Sequence, residues 1–270
     1  MNGWMLILLA TLGAGALQAA LWLVYRRTDR ADWVDAGWAG SLGLMALLYG
    51  ALGPGDLHRR LLVAALGGFW GLRLALHLAR RIAGGPEDGR YTQLKAEWKT
   101  GLRAKFFLFF EFQALLAVFL SLPFLWTCLD RRPGLGLLPW LGAGLGLVSI
   151  LGEALADAQL RRFKADPANR GEVCRAGLWS VSRHPNYFFE WLIWVAFALL
   201  AFPSPWGWTA IACPALMLHF LLRVTGIPAT EAQSLRSRGE AYARYQREVS
   251  AFVPWFPKTT PKTTSKKDPA

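Results

Sequence analysis

The sequence predicts an all-α polytopic membrane protein, and three observations carry that prediction. Of the 270 residues 54% are hydrophobic, with 14 Trp and a positive mean hydropathy of +0.26. The apolar residues fall in long unbroken runs of bilayer-spanning length. Lys and Arg are confined almost entirely to alternate connections between those runs.

The first run, residues 3–25, carries no charge and is followed by Arg26 and Arg27. A secretory signal places its basic residues before a shorter apolar stretch, so this run reads as a retained first span. Further runs at residues 36–52, 61–82, 105–129, 135–157, 187–202 and 206–226 bring the expected number of spans to seven, the second and sixth being the weakest. All but five of the 30 Lys and Arg fall in the connections at 26–35, 80–105 and 158–186 and in the segment from 223. The exceptions are Arg59, Arg60, Arg131 and Arg132 in the other connections, and Arg73 inside the third run. By the positive-inside rule this asymmetry puts the N-terminus outside and the C-terminus in the cytoplasm, with the cytoplasmic (inner) membrane as the expected location.

A formal charge of +12 ordinarily directs attention to nucleic acid or anionic lipid. Here loop placement accounts for most of it, no nucleic-acid motif is present, and the expected macromolecular environment is membrane lipid. Residues 1–257 read as one seven-helix domain. Residues 258–270, rich in Lys, Thr and Pro, read as a disordered basic tail that cannot bury enough apolar area to order itself.

Several chemistries are excluded. Cys128, Cys174 and Cys213 lie far apart and offer neither a disulfide framework nor a C-x-x-C metal site, and His58, His77, His184 and His219 lack metal-ligand spacing. No nucleophile elbow occurs. The segment Gly142-Ala143-Gly144-Leu145-Gly146 does not fit G-x-G-x-x-G and lies within a span, where small residues serve helix packing. No phosphate-binding G-x-x-x-x-G-K-[ST] loop is present either.

Polar residues concentrate instead around the stretch Arg183-His184-Pro185-Asn186-Tyr187. Pro185 suits the first position of a helix, so the free N–H groups and positive dipole end of the sixth span face Arg183 and His184. This is an anion site on the cytoplasmic side. Arg161, Arg162, Lys164 and Arg175 share the preceding loop and either converge on the site or serve only as positive-inside charge. Glu190 in the first turn of span six and Asp157 near the end of span five flank the basic loop, where ribose hydroxyls or amides of a ligand would satisfy them. Glu111 and Glu153 are also within spans, and structural pairing with Arg accounts for them equally well. In span three Arg73, His77, Arg80 and Arg81 share one helix face, and a Gly-rich turn, Gly84-Gly85-Pro86-Glu87-Asp88-Gly89-Arg90-Tyr91, follows.

Longer motifs now show a resemblance. The run Glu153-Ala-Leu-Ala-Asp157-x-Gln-Leu160-x-x-Phe163-Lys164, continued by Gly177-Leu178-Trp179-Ser180-x-Ser182-Arg183-His184-Pro185-Asn186-Tyr187-x-x-Glu190-Trp191, resembles the C-terminal signature of the steroid 5-alpha-reductase superfamily, particularly its uncharacterised bacterial branch. Glu87-Asp88-Gly89-Arg90-Tyr91, Tyr242-x-x-Tyr245-Gln246 and Val253-Pro254-Trp255-Phe256-Pro257 agree with it. The resemblance implies a seven-helix membrane fold that holds NADPH from the cytoplasmic side and reduces the carbon–carbon double bond of a steroid-like or other enone lipid. It implies that Asp157, Lys164, Asn186 and Tyr187 belong to the cofactor site and that Arg183, His184, Glu190 and Tyr245 lie close to it; Arg161 and Arg175 join them from the loop argument.

Two departures stand out. Phe189 occupies a position where the family commonly has Gly, and the Gln-Glu pair and Tyr that hold the steroid ketone have no counterpart in spans two and three. Asp35, Arg73, His77 and Tyr91 are the catalytic candidates by location, with His77 or Tyr91 as the donor that stabilises a developing enolate. An S-adenosylmethionine-dependent methyltransferase of the isoprenylcysteine or phospholipid type is the alternative, because such enzymes carry an R-x-P-x-Y motif and a C-terminal pattern like Glu231, Tyr242 and Tyr245.

Overall fold

The computed structural model describes residues 1–258, and every regular element among them is helical. The tail expected from 258 lies, apart from Lys258 itself, outside the described residues.

Helix α1 (Gly3–Thr28) starts where the Asn2 side chain accepts from the Met5 N–H at 2.9 Å, and ends where Asp29 turns left-handed at φ 55°. Helix α2 (Trp33–Leu52) follows. Asp56 caps α3 (Leu57–Val63), which continues through a π-helical turn at Ala64–Gly68 into α4 (Phe69–Ala83). Asp88 caps the short α5 (Gly89–Trp98), and α6 (Leu102–Leu120) leads into α7 (Leu122–Leu129), with Pro123 tolerated in its first turn. After these come α8 (Leu137–Ala165), α9 (Pro185–Ala201), α10 (Ala212–His219) and α11 (Ile227–Glu248), the last broken at Gly239, where φ is 51°.

Among the described residues five stretches are long and apolar enough to cross a bilayer: Gly3–Thr28, Leu57–Ala83, Leu102–Leu129, Leu137–Ala165 and the run Gly207–Glu248. In the last of these the apolar portion precedes α11, whose Glu231, Arg236, Arg238, Glu240, Arg244 and Arg247 no lipid-exposed helix would tolerate. The two remaining expected spans are helical but fall short by composition or length. Helix α2 carries Asp35, Ser41 and glycines at 37, 40, 43 and 50, which lower its hydropathy. Helix α9 has 17 residues, or roughly 25 Å of rise against a hydrocarbon core of about 30 Å.

The described residues form two compact units, one of Met1–Val148 with Leu192–Met217 and the other of Ser149–Trp191 with residues 218–258. In the first, α2 is the central helix and packs against α1, α4 and α6. Lipid is as apolar as a leucine side chain, so close van der Waals approach rather than hydrophobic burial joins helices in a bilayer. Helices α2 and α4 meet at such a point: a Cβ on Gly71 would stand 2.5 Å from the Gly43 nitrogen. Beside the crossing, the fully buried Trp70 and Trp194 pack edge to face at 5.3 Å, with Trp38 and Phe197 completing the cluster. A second cluster gathers Tyr25, Tyr91, Phe106 and Phe110.

In the second unit, the C-terminal part of α8 packs on the start of α9. Gly152 makes room there for Phe189, since a Cβ on Gly152 would meet the Phe189 ring at 2.5 Å. The segment after α11 is pinned by its backbone: the Arg183 N–H donates to Ser250 O at 2.8 Å and the Trp255 N–H to Val181 O at 2.9 Å.

Candidate functional site

The site predicted at the start of α9 lies within the second unit, and its local frame is built from the loop that joins α8 to α9. Trp179 Nε1–H donates to Ala156 O at 2.9 Å, and the Leu178 N–H donates to Gln159 Oε1 at 2.9 Å. The Gln159 contact requires Gly177, which has φ 57° and whose Cβ would lie 2.2 Å from the Gln159 side chain. Ser182 Oγ donates to Phe252 O at 2.8 Å and accepts from the His184 N–H at 3.2 Å. These bonds hold the residues ahead of Pro185 between α8 and the segment that follows α11.

Arg183 and His184 do not face outward as an open anion site. Arg183 Nε–H donates to Glu231 Oε1 at 2.6 Å, and its Nη1 donates to Gln246 O at 2.8 Å and Val249 O at 2.5 Å. His184 Nε2 lies 3.3 Å from the same Glu231 oxygen, and Gln246 Nε2–H donates to Glu231 Oε2 at 2.9 Å. The Arg183 side chain is 10% exposed and the His184 side chain 3%. A guanidinium answered by a carboxylate and two carbonyls has little capacity left for phosphate. Burial alone would raise the Glu231 carboxyl, but the hydrogen bonds from His184, Arg183 and Gln246 and the Arg183 charge outweigh it and hold the group down at about 2. The cluster is a charge-balanced clasp between the start of α9 and α11.

The remaining predicted cofactor residues divide into two groups. Arg175 pairs with Glu248 at 2.5 Å and lies over the Tyr245 ring at 5.1 Å, while the buried Tyr245 hydroxyl donates to Trp179 O at 2.5 Å. These two therefore serve the frame. By contrast, Asn186 Nδ2–H donates to Asp157 Oδ1 at 3.2 Å, which brings together two positions far apart in sequence. Asp157, Arg161 and Lys164 follow the i, i+4, i+7 spacing of one helical face, and Arg161 and Lys164 are exposed. The Tyr187 ring stacks on His184 at 5.4 Å and 8°, and its hydroxyl lies 3.1 Å from Thr230 Oγ1. Glu190 is buried at 9% exposure.

Of the catalytic candidates in the first unit, the structure unites two. Tyr91 O–H donates to Asp35 Oδ1 at 2.6 Å, and Arg90 pairs with Asp35 at 2.7 Å and with Asp88 at 3.0 Å. Burial, followed by the Asp35 charge, pushes the Tyr91 phenol well above its ordinary value. The Glu87-Asp88-Gly89-Arg90-Tyr91 turn thus docks on the α1–α2 connection, where Glu87 accepts from the Ala31 N–H at 2.7 Å and Lys95 at 2.9 Å. Arg73 and His77 stand one turn apart on α4, both half-buried and both engaged by neighbouring groups.

Sequence reasoning missed Thr230 as a partner of Tyr187 and the coupling of Glu231 and Gln246 to Arg183. Glu231 had one available signal, an isolated carboxylate at the head of a strongly basic segment. Among the described residues no group of His, Cys, Asp and Glu side chains is arranged to hold a metal ion.

Comparison with known proteins supports the family resemblance at a coarse level. An uncharacterized protein of Schizosaccharomyces pombe is 30% identical over 267 residues, which covers 87% of this chain and 75% of the yeast protein. That relative is fungal, so the likeness extends to the wider reductase-like group and does not single out a bacterial branch. Residues 21–249 match the model of a family described as a protein of unknown function, DUF1295, which is part of the steroid 5-alpha-reductase-like group. With that match covering most of its length, the chain belongs to the DUF1295 family.

Proposed function

We propose that this protein is a membrane-embedded, NADPH-dependent reductase of an activated carbon–carbon double bond in a steroid-like or other enone lipid. It has seven spans, an external N-terminus and a cytoplasmic cofactor end, as the placement of Lys and Arg supports.

The observation that carries the reading is the polar face formed by Asp157, Arg161 and Lys164 with Asn186 bonded to Asp157. The Asp157–Asn186 pair offers an acceptor and donors to a ribose or carboxamide, and the two exposed cations suit phosphates. A dinucleotide therefore fits this face of α8, with Arg183 and His184 holding the adjacent backbone rather than the phosphates. When bound, NADPH supplies a hydride to the β carbon of the enone. The protein then has to stabilise the resulting enolate and deliver a proton to the α carbon, at which point one C=C bond is reduced and NADP⁺ is left. Tyr91 already donates its proton to Asp35 and His77 is likewise engaged by a neighbouring group, so a donor role for either requires that contact to exchange.

The charge balance of the Arg183–His184–Glu231 clasp favours one second reading. A site with its strongest cation neutralised also suits the net-positive methyl donor of an S-adenosylmethionine-dependent membrane methyltransferase. The two readings separate in one experiment on the full chain purified in mild detergent. Mass spectrometry identifies any retained cofactor, and thermal unfolding is followed with added NADPH or S-adenosylmethionine. The reductase reading expects NADPH to raise the transition by several degrees at about 100 times its Kd, and Arg161→Ala with Lys164→Ala to remove that rise. Stabilisation by S-adenosylmethionine without any response to NADPH would sink it.

A further inference from the structure

The last turn of α1 meets the first turn of α6 at a pocket of about 270 Å³ lined by Arg26, Arg27, Arg103 and Leu23. All three arginines are exposed, and among the described residues no ion pair or side-chain hydrogen bond engages their guanidinium groups. Asp29, the acid that follows Arg26 and Arg27, pairs with Lys95 at 3.3 Å instead. Other arginines of this unit are answered by carboxylates, Arg30 by Asp32 at 2.9 Å and Arg90 by Asp35 at 2.7 Å. Here three like charges share one concave surface without a counter-ion. The positive-inside rule explains cations at this end of the spans but not their convergence on a pocket. The helix dipole accounts for Arg26 and Arg27 at the C-terminal end of α1, whereas Arg103 stands at the positive end of α6, where a cation is disfavoured.

Trp22 fixes the arrangement. Its Nε1–H donates to Arg103 O at 2.9 Å, the Arg26 guanidinium lies over its ring at 5.0 Å, and the ring packs edge to face on Phe107 at 5.0 Å. One indole thus holds cations of two helices in place, at the level of the membrane–water boundary where Trp is enriched. The surface below the pocket is apolar. Leu23, 50% exposed, lies one turn before Arg26 and Arg27 on the same helical face, and Phe107, 37% exposed, lies one turn after Arg103. A phosphate that carries acyl chains would lay them over these two side chains, from which a free anion gains nothing. The pocket is smaller than the roughly 300–1,000 Å³ that takes a whole drug-sized ligand, and suits a headgroup phosphate with the rest of the molecule outside.

We propose that this pocket binds the phosphate of an anionic phospholipid, with Arg26, Arg27 and Arg103 as its donors and Leu23 and Phe107 beneath its acyl chains. The site needs neither nucleotide nor substrate, so it stands or falls apart from the reductase reading.

The test uses the full chain stripped of lipid in mild detergent, to which phosphatidylglycerol or phosphatidylcholine with the same acyl chains is added. Native mass spectrometry counts bound lipid, and thermal unfolding reads the stabilisation. Both lipids carry a phosphodiester, but the choline cation would stand among three guanidiniums, so phosphatidylglycerol is expected to bind about tenfold more tightly or better. The triple variant Arg26→Gln, Arg27→Gln, Arg103→Gln should reduce that preference to about twofold or less. A control triple, Arg170→Gln, Arg236→Gln, Arg244→Gln, removes the same charge at exposed positions of the second unit and should keep it. Each triple changes exposed side chains only, so in detergent alone neither should unfold before the parent. Absence of the preference in the parent, or its equal loss in the two triples, overturns the site. Millimolar inorganic phosphate is the third arm and should neither displace the lipid nor stabilise the parent. If it does either, the pocket takes free phosphate and the lipid assignment is overturned.

Discussion

Glu231 is the residue on which the cytoplasmic end turns, because it receives Arg183, His184 and Gln246 together. Removing it leaves the Arg183 guanidinium, 10% exposed, without its counter-charge, and breaking a pair of that kind typically costs about 3 kcal/mol or more. Glu231→Ala should therefore lower the thermal transition by several degrees, and Glu231→Gln, which keeps some of the hydrogen bonds, by less. The pH dependence has a definite direction. A carboxyl held at about 2 against its ordinary 4.5 adds stability that is complete above 4.5 and disappears as pH falls toward 2. Melting curves of the parent and Glu231→Gln should differ most at neutral pH and draw together below 4.5; a gap that widens on acidification would contradict the assignment. The sequence placed Arg183, His184 and Asn186 at a helix start, and the structure agrees. It could not show whether the guanidinium was open or answered, because the answering carboxylate lies 48 residues further along the chain.

At the scale of elements, the contact between α8 and α9 explains the departure at Phe189. The position where the resemblance leads to an expectation of glycine carries a large ring here, and the space for it comes from Gly152 on the facing helix. Close approach is retained with the small partner on the other side. Gly152→Ala should then cost about 1–3 kcal/mol through overpacking against the ring. The same substitution in a Phe189→Ala background should cost much less, a coupling that thermal unfolding of the two singles and the double reads directly. Additive losses would show that the ring and Gly152 do not compensate each other. Helix α2 teaches a related lesson. Its glycines and Ser41 make it a poor span by hydropathy, yet they are what lets α4 cross it at Gly43 and Gly71.

At the scale of the whole molecule, the distribution of Lys and Arg makes a prediction about orientation. A fluorescent protein fused to the C-terminus should fold and fluoresce on the cytoplasmic side, and an alkaline phosphatase fused after residue 55 should be active on the opposite side. Inactive phosphatase there would remove either α1 or α2 as a full span and with it the odd number of crossings. The turn Glu87 to Tyr91 belongs to this scale as well. Its ion pairs with Asp35 and Lys95 and its bond to Ala31 fasten the connection after α4 to the connection after α1. The charges of this turn are answered by partners within the first unit.

By itself the sequence determined the helical class, the placement of the apolar runs, the basic character of alternate loops and the helix start at Pro185, because these depend on local periodicity, capping and charge. Tertiary structure decided which polar groups are already satisfied. Arg183 is closed by Glu231, Tyr91 is committed to Asp35, and Asn186 is joined to Asp157. The physical reason is that hydrogen bonds and ion pairs act over about 3 Å, and only folding brings residues from distant parts of the chain within that range.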